Sequence, residues 1–154
     1  MKNSLIAFLS LALLAGCNKD KFQTKPQLKL LETSDLTVPF GGTLRVRLEF
    51  TDKEGDVDDT LFLRRVRTNV RTTPTVRDSL RIRIPEFPDR NKGEIILDFT
   101  YQNFLISAAS PLNVPNTTPP QKESDSLTYK FVLQDRAGNR SDTLVLNGIV
   151  VERR

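Results

Sequence analysis

From Gln27 onward, apolar and polar residues alternate in short runs with a period of two and never with the period of a helix. That is the pattern of strands that bury one face. The plainest run is Thr43 to Thr51, where Leu44, Val46, Leu48 and Phe50 alternate with Arg45, Arg47 and Glu49. Before it, Leu28–Thr33 and Leu36–Val38 read as a first strand broken near Ser34-Asp35, and Phe40-Gly41-Gly42 turns the chain. After it, Leu61–Arg71 changes phase between Leu63 and Val66, which predicts a β-bulge near Arg64-Arg65. Leu80, Ile82 and Ile84 alternate with Arg81 and Arg83, and Pro85 ends that strand or marks it as an edge. Ile95, Leu97, Phe99 and Tyr101 oppose Glu94, Asp98 and Thr100. Ser107–Ser126, with Pro111, Pro115, Pro119 and Pro120, reads as an extended, mobile connection, with Leu112 and Val114 as its candidates for docking onto the domain. Leu127–Gln134 and Asp142–Val151 close the chain, joined by the turn-rich loop Asp135–Arg140.

About seven strands with sandwich-like turn spacing and no helix predict an all-β domain of two packed antiparallel sheets with Greek-key connections. The pattern resembles the Ig-like sandwich. The Cys-Trp-Cys core of antibody domains is absent, so a fibronectin-like or cadherin-like variant is implied. In the family's seven-strand arrangement the second, fifth and fourth strands are neighbours in one sheet, which would place Glu94 and Asp98 between the arginines of two flanking strands. The Arg-rich strands then read as cross-strand charge pairs on a solvated face, each contributing about 0.2 to 1 kcal/mol. The functional alternative is a basic patch for anionic lipid headgroups or acidic glycans, with Arg81 and Arg83 at its centre.

Residues 1–17 have another pattern. Lys2 supplies a positive start, Leu5–Leu14 an apolar run too short to span a bilayer, and small residues follow. Leu14-Ala15-Gly16-Cys17 resembles the lipobox of bacterial lipoproteins, which implies cleavage before Cys17 and lipid on its thiol. The chain divides into a lipoprotein signal peptide (1–16), a lipidated N-terminus and polar tether (17–26) and one Ig-like domain (27–154). Two or three acyl chains anchor stably where one does not. The resemblance implies a lipid-anchored protein of the cell envelope. Without an aspartate after Cys17 the outer membrane is favoured, and periplasmic or surface exposure stays open.

Composition narrows the function further. The net charge is +4, with basic residues scattered among 19 acidic ones and no basic run interleaved with aromatics, which argues against a nucleic-acid partner. There is no histidine, which removes the Ser-His-Asp and Cys-His arrangements and argues against a transition metal. Cys17 is the sole cysteine, so the domain has no intramolecular disulfide and holds by its core.

Asp52-Lys53-Glu54-Gly55-Asp56-Val57-Asp58-Asp59 sets five carboxylates in eight residues directly after the plainest strand. Carboxylates around a glycine turn are how loops supply oxygen ligands to calcium. An EF-hand is not completed, because Leu63 stands where its last glutamate belongs. In an Ig-like sandwich this loop and the loop between the last two strands share one end, so Asp52, Glu54, Asp56, Asp58, Asp135 and Asn139 form a candidate calcium site. Phe50–Asp56 and Asp135–Asn139 resemble paired segments of Ig-like envelope domains of Bacteroidota, which implies an extracytoplasmic β-sandwich. The competing reading is ordinary turn chemistry, in which Asp and Asn bond nearby backbone amides.

Asp59-Thr60-Leu61, Asp78-Ser79-Leu80, Asp125-Ser126-Leu127 and Asp142-Thr143-Leu144 resemble the O-glycosylation sequon of Bacteroidota envelope proteins. This implies Thr60, Ser79, Ser126 and Thr143 as candidate acceptors. Structurally, each match hands a turn residue over to the first buried aliphatic of a strand. A glycosidase-like pair among the loop carboxylates and a carbohydrate-binding module are the alternatives. Both lack support from aromatic platforms, with no tryptophan and only Tyr101 and Tyr129. The favoured expectation is a membrane-tethered, non-enzymatic interaction or structural module, meeting an envelope or surface protein through its loops or sheet edges.

Overall fold

The computed structural model describes residues 24–71, 77–106 and 110–154; the expected signal peptide, Cys17 and most of the expected tether lie outside them. The chain is an all-β sandwich of two sheets. Strands β1 (Gln27–Thr33), β3 (Thr43–Thr51) and β6 (Lys92–Thr100) form one sheet in the order β1-β3-β6. Strands β2 (Thr37–Val38), β4 (Thr60–Arg67), β5 (Arg77–Arg83), β7 (Asp125–Gln134) and β8 (Leu144–Val151) form the other, in the order β2-β8-β7-β4-β5.

The alternation read from sequence gives the core. Leu44, Val46, Leu48 and Phe50 of β3 and Leu97 and Phe99 of β6 are buried against Leu61 and Leu63 of β4 and Leu127, Tyr129, Phe131 and Leu133 of β7. Phe99 sits at the centre, 5.1 Å from Tyr129 and 5.6 Å from Phe104 in edge-on geometry, an arrangement that favours aromatic pairs beyond their buried area. The expected break near Ser34-Asp35 is where the first strand changes sheets: Asp35 Oδ1 accepts from Thr37 N at 2.8 Å, and β2 then pairs with β8. That pairing is parallel, so the second sheet is mixed rather than wholly antiparallel.

Three expectations are corrected. First, no bulge interrupts β4 at Arg64-Arg65, which pairs in unbroken register with both β5 and β7. The inward alternation continues instead through Arg65 and Arg67, both buried. Val66 keeps the outward phase of Phe62 and Arg64. Register shifts occur in β1–β3 between Leu30 and Glu32, and in β7–β8 beside Gly148, whose φ of 77° suits an unpaired glycine in a bulged strand. Second, the strand of Arg81 and Arg83 does not flank β6. It is β5, paired with β4 at the edge of the opposite sheet, so Glu94 and Asp98 meet arginines on one side only. Third, within the described part of the Pro-rich segment the chain is a hairpin rather than an extended connection. Val114 N donates to Gln121 O and Glu123 N to Leu112 O, each at 2.8 Å. Leu112 is exposed, while Val114 is half-buried.

Beyond Thr100 the chain leaves the sheet as a π-helical turn, Tyr101–Leu105, closed by Ile106 N donating to Tyr101 O at 3.1 Å. Buried Arg65 caps it, donating from its guanidinium to Phe104 O and Ile106 O while pairing with Asp78. Tyr129 donates its hydroxyl to the same Phe104 carbonyl at 2.7 Å. Arg67, also buried, pairs with the fully buried carboxylate of Asp125 at 2.5 Å, and Arg153 completes the cluster from the C-terminal end.

Removing one member of a buried ion pair strands the other, at a cost of about 3–5 kcal/mol. Asp125→Ala is therefore expected to lower unfolding free energy in denaturant by about that amount, and Asp125→Leu combined with Arg67→Met and Arg153→Met to recover most of it. A loss below about 1 kcal/mol for Asp125→Ala, the size of an exposed pair, would overturn the assignment.

Candidate functional site

The strand directions bring three loops to one end of the sandwich: β3–β4 (residues 52–59), β5–β6 (84–91) and β7–β8 (135–143). The start of β1 lies there too, since Gln27 pairs with Thr51 and Lys25 Nζ lies 2.6 Å from Asp142.

The acidic loop folds on its own carboxylates. Asp52 Oδ2 accepts from Gly55 N at 2.8 Å, closing a tight turn. Gly55 has φ of 79°, and a Cβ there would lie 2.7 Å from Arg90 N, so a side chain is refused on two grounds. Arg90 N in turn donates to Gly55 O at 3.1 Å, and Asn91 Nδ2 to the carbonyls of Asp52 and Lys53, fastening the loop to its β5–β6 neighbour. Asp59 accepts from Gln134 Nε2 at 2.9 Å. Asp135 fixes its own turn, accepting from Asn139 N at 2.7 Å and Asn139 Nδ2 at 2.9 Å.

The expected juxtaposition of the two loops is present. Arg136, which the sequence reading passed over, makes the join: its N donates to Asp56 O at 3.0 Å and its guanidinium grips both oxygens of Asp58, at 2.5 and 2.9 Å. It also reaches Asp89 Oδ1 at 3.2 Å. This bidentate grip holds the Asp58 carboxyl below its ordinary range, which makes Asp58 a poor proton donor for glycosidase-like chemistry. Asp56 has the opposite environment. Burial first, then the charges of Asp135 and Asp52, push its carboxyl up, against the pull of Arg136. Asp52 Oδ1 and Asp56 Oδ1 are buried acceptors with no hydrogen-bond donor. Glu54 is exposed. Among the described residues, no three acidic side chains come together in one group.

The four sequon-like matches share a structural role. Their aspartates serve the fold: Asp59 with Gln134, Asp78 with Arg65, Asp125 with Arg67 and Arg153, and Asp142 with Lys25. Thr60 and Ser126 are half-buried, whereas Ser79 and Thr143 are exposed.

The sheet faces differ in charge. On the outer face of β1-β3-β6, Arg45 pairs with Asp98 at 2.7 Å, Arg47 with Glu32 and Glu94 at 2.7 and 2.9 Å, and Lys92 with Glu49 at 2.7 Å. On the outer face of β5-β4-β7-β8, Arg64, Arg81, Arg83 and Lys130 have no carboxylate partner among the described residues. There Phe62 of β4 carries two guanidiniums, Arg140 at 4.8 Å and Arg81 at 5.6 Å from its ring centroid. A shallow groove of about 650 Å³ crosses this face, lined by Phe62, Arg64, Ser79, Arg81, Lys130 and Thr143 among others.

No family model and no curated protein matches the sequence. Among solved structures, the crystal structure of the sporulation control protein Spo0M from Bacillus subtilis is similar at a TM-score of 0.44 and 13% identity. The match covers 84% of this chain and 50% of that one, so the chain spans about half the length of that protein.

A carboxyl raised by the fold adds stability below the ordinary carboxylate range and loses it as pH rises through its elevated pKa. Asp56→Asn is thus expected to raise the melting temperature at pH 7 in chelator and to change it little near pH 3. Arg136→Ala is expected to lower it at pH 7, with the loss shrinking as pH falls through the depressed pKa of Asp58. Thermal unfolding across this pH range checks both, and a lower melting temperature for Asp56→Asn at pH 7 would refute the first.

Proposed function

We propose that this chain is a non-catalytic interaction module of the bacterial envelope, held to a membrane, preferentially the outer membrane, by lipid on Cys17. The observation that carries the reading is the division of charge between the sheet faces. One outer face neutralises its own charges, and the loop carboxylates are largely spent on turns and on Arg136. The cations around Phe62 are left to meet something outside the molecule.

The tether fits this division. β1 begins at the loop end of the sandwich, so a lipid on Cys17 would set the loops toward the bilayer and leave both sheet faces standing clear at its side. The protein purified from membranes is expected to begin at Cys17 and to carry the added mass of acyl chains there. A mass equal to the bare polypeptide would refute lipid anchoring. In whole cells, crosslinks from the β5-β4-β7-β8 face are expected to disappear when Arg64, Arg81 and Lys130 are changed to serine, and their survival would refute the sheet-face reading.

A second reading, calcium at the loop cluster, is favoured by the two orphaned oxygens of Asp52 and Asp56. A ligand bound only by the native state raises apparent stability, and extracellular calcium modules respond in the millimolar range. Calcium at that level is expected to raise the melting temperature of the native sequence and not that of Asp56→Asn; no shift in either removes calcium. Intact mass of the native protein tests the sequons, where sugar on Ser79 or Thr143 is the expected form and a mass equal to the lipidated chain excludes it.

A further inference from the structure

We infer that the outer face of β5-β4-β7-β8 is a binding site for an acidic polysaccharide. The inference rests on the interaction-module reading above and names the partner's chemistry.

The face is identified by a conflict within the sheet. Register places Arg64 of β4 directly opposite Lys130 of β7, and like charges directly opposite each other destabilise a sheet. Arg81 lies opposite Phe62 and Arg83 opposite Thr60 in the same sheet, without a carboxylate partner among the described residues. Such local conflicts are expected where a site is functional or strained. The opposite outer face shows that this chain has acidic residues to spend on cross-strand pairing.

The groove indicates what kind of anion fits. It runs across the strands, from Ser79 and Arg81 on β5, over Phe62 and Arg64 on β4 and Lys130 on β7, to Thr143 before β8. Four strands at ~4.8 Å spacing give it a length of roughly 14 Å. A ligand lying across strands cannot add to the sheet ladder, because β4 and β7 are paired on both sides. It must be held by side chains: cations for carboxylates or sulfates, hydroxyls for sugar hydroxyls, and the apolar floor of Phe62 and Val132 for ring faces. The two guanidiniums over Phe62 are steered by the ring rather than neutralised by an acid, so they keep their charge for the ligand. A membrane surface fits less well. Strongly exposed apolar side chains such as Val70 and Ile96 belong to other parts of the molecule, and Val145 is the large exposed hydrophobic of this face among the described residues.

The test uses the mature chain from residue 17 carrying Cys17→Ala, so that neither lipid nor the apolar run Leu5–Leu14 enters the measurement. Binding is measured at 0.15 M ionic strength to immobilised polygalacturonate, dextran sulfate, neutral dextran and polyglutamate, and to phosphatidylglycerol vesicles. Saturable binding to the acidic polysaccharides over neutral dextran, polyglutamate and vesicles is expected. Changing Arg64, Arg81 and Lys130 to serine is expected to weaken it by about tenfold or more, the scale of one lost charge-assisted contact. Changing Lys29, Arg45 and Arg47 to serine removes as many cations from the other face and is expected to leave it unchanged. Lys130→Glu separates folding from binding: it places an acid opposite Arg64, so the melting temperature is expected to hold or rise while binding falls. Equal weakening by both triple variants, equal or tighter binding of polyglutamate, preference for vesicles, or no binding at all would each overturn the inference. If binding is absent here while face-specific crosslinks persist in cells, the module reading survives and only the partner class is wrong.

Discussion

The far end of the sandwich, away from the loops, depends on a carboxylate with no contact to water. Asp125 opens β7 fully buried, met by Arg67 at the end of β4 and by Arg153 just beyond β8. A buried carboxylate is costly without cations, and a buried guanidinium equally so without acceptors. The cluster therefore fixes three chain segments together or none of them. It also sets the register of β4, because a slip of one residue would turn Arg65 and Arg67 to solvent and drive Arg64 and Val66 inward. Arg65 applies the same logic to the π-helical turn, whose terminal carbonyls it holds beside Asp78.

Much of this fold was legible in the alternation of β3, β6 and β7, where apolar residues through Phe50, Phe99 and Leu133 turn inward and mostly polar ones turn outward. The buried arginines were not legible. A local pattern assigns arginine to the solvent, and the carboxylate that permits Arg67 to enter the core lies far along the chain at Asp125. The sheet assignment of β5 was illegible for a related reason. Ile and Arg alternate identically on an outer strand of either sheet, and the choice is made by pairing with β4 and by the Pro85–Pro88 passage to β6. At the loops, the acidic segment and its Asp135–Asn139 partner were visible as paired turn-formers. Arg136 was not, because one cation between turn residues carries no signature until Asp58 is placed beneath it.

The two ends and two faces of the molecule divide the labour of charge. At the loop end, carboxylates organise backbone amides and Arg136 ties two loops, leaving a small excess of negative charge at Asp52 and Asp56. On the smaller sheet, acids and bases cancel across strands. On the larger sheet they do not. The arrangement keeps a modest overall charge of +4 while concentrating positive potential on one face, which net charge alone would never reveal.

Placing β5 in the larger sheet leaves β6 without a second neighbour among the described strands. Nine residues of backbone from Lys92 to Thr100 thus present an open hydrogen-bonding edge, with Ile96 58% exposed along it. Such an edge is an invitation to strand-by-strand stacking between copies. Glu94 and Asp98, drawn tight by Arg47 and Arg45, put a charge at every second outward position of that edge. A second copy approaching edge to edge would have to strip water from these charged pairs, so the ion pairs that tie the smaller sheet together also protect its open edge.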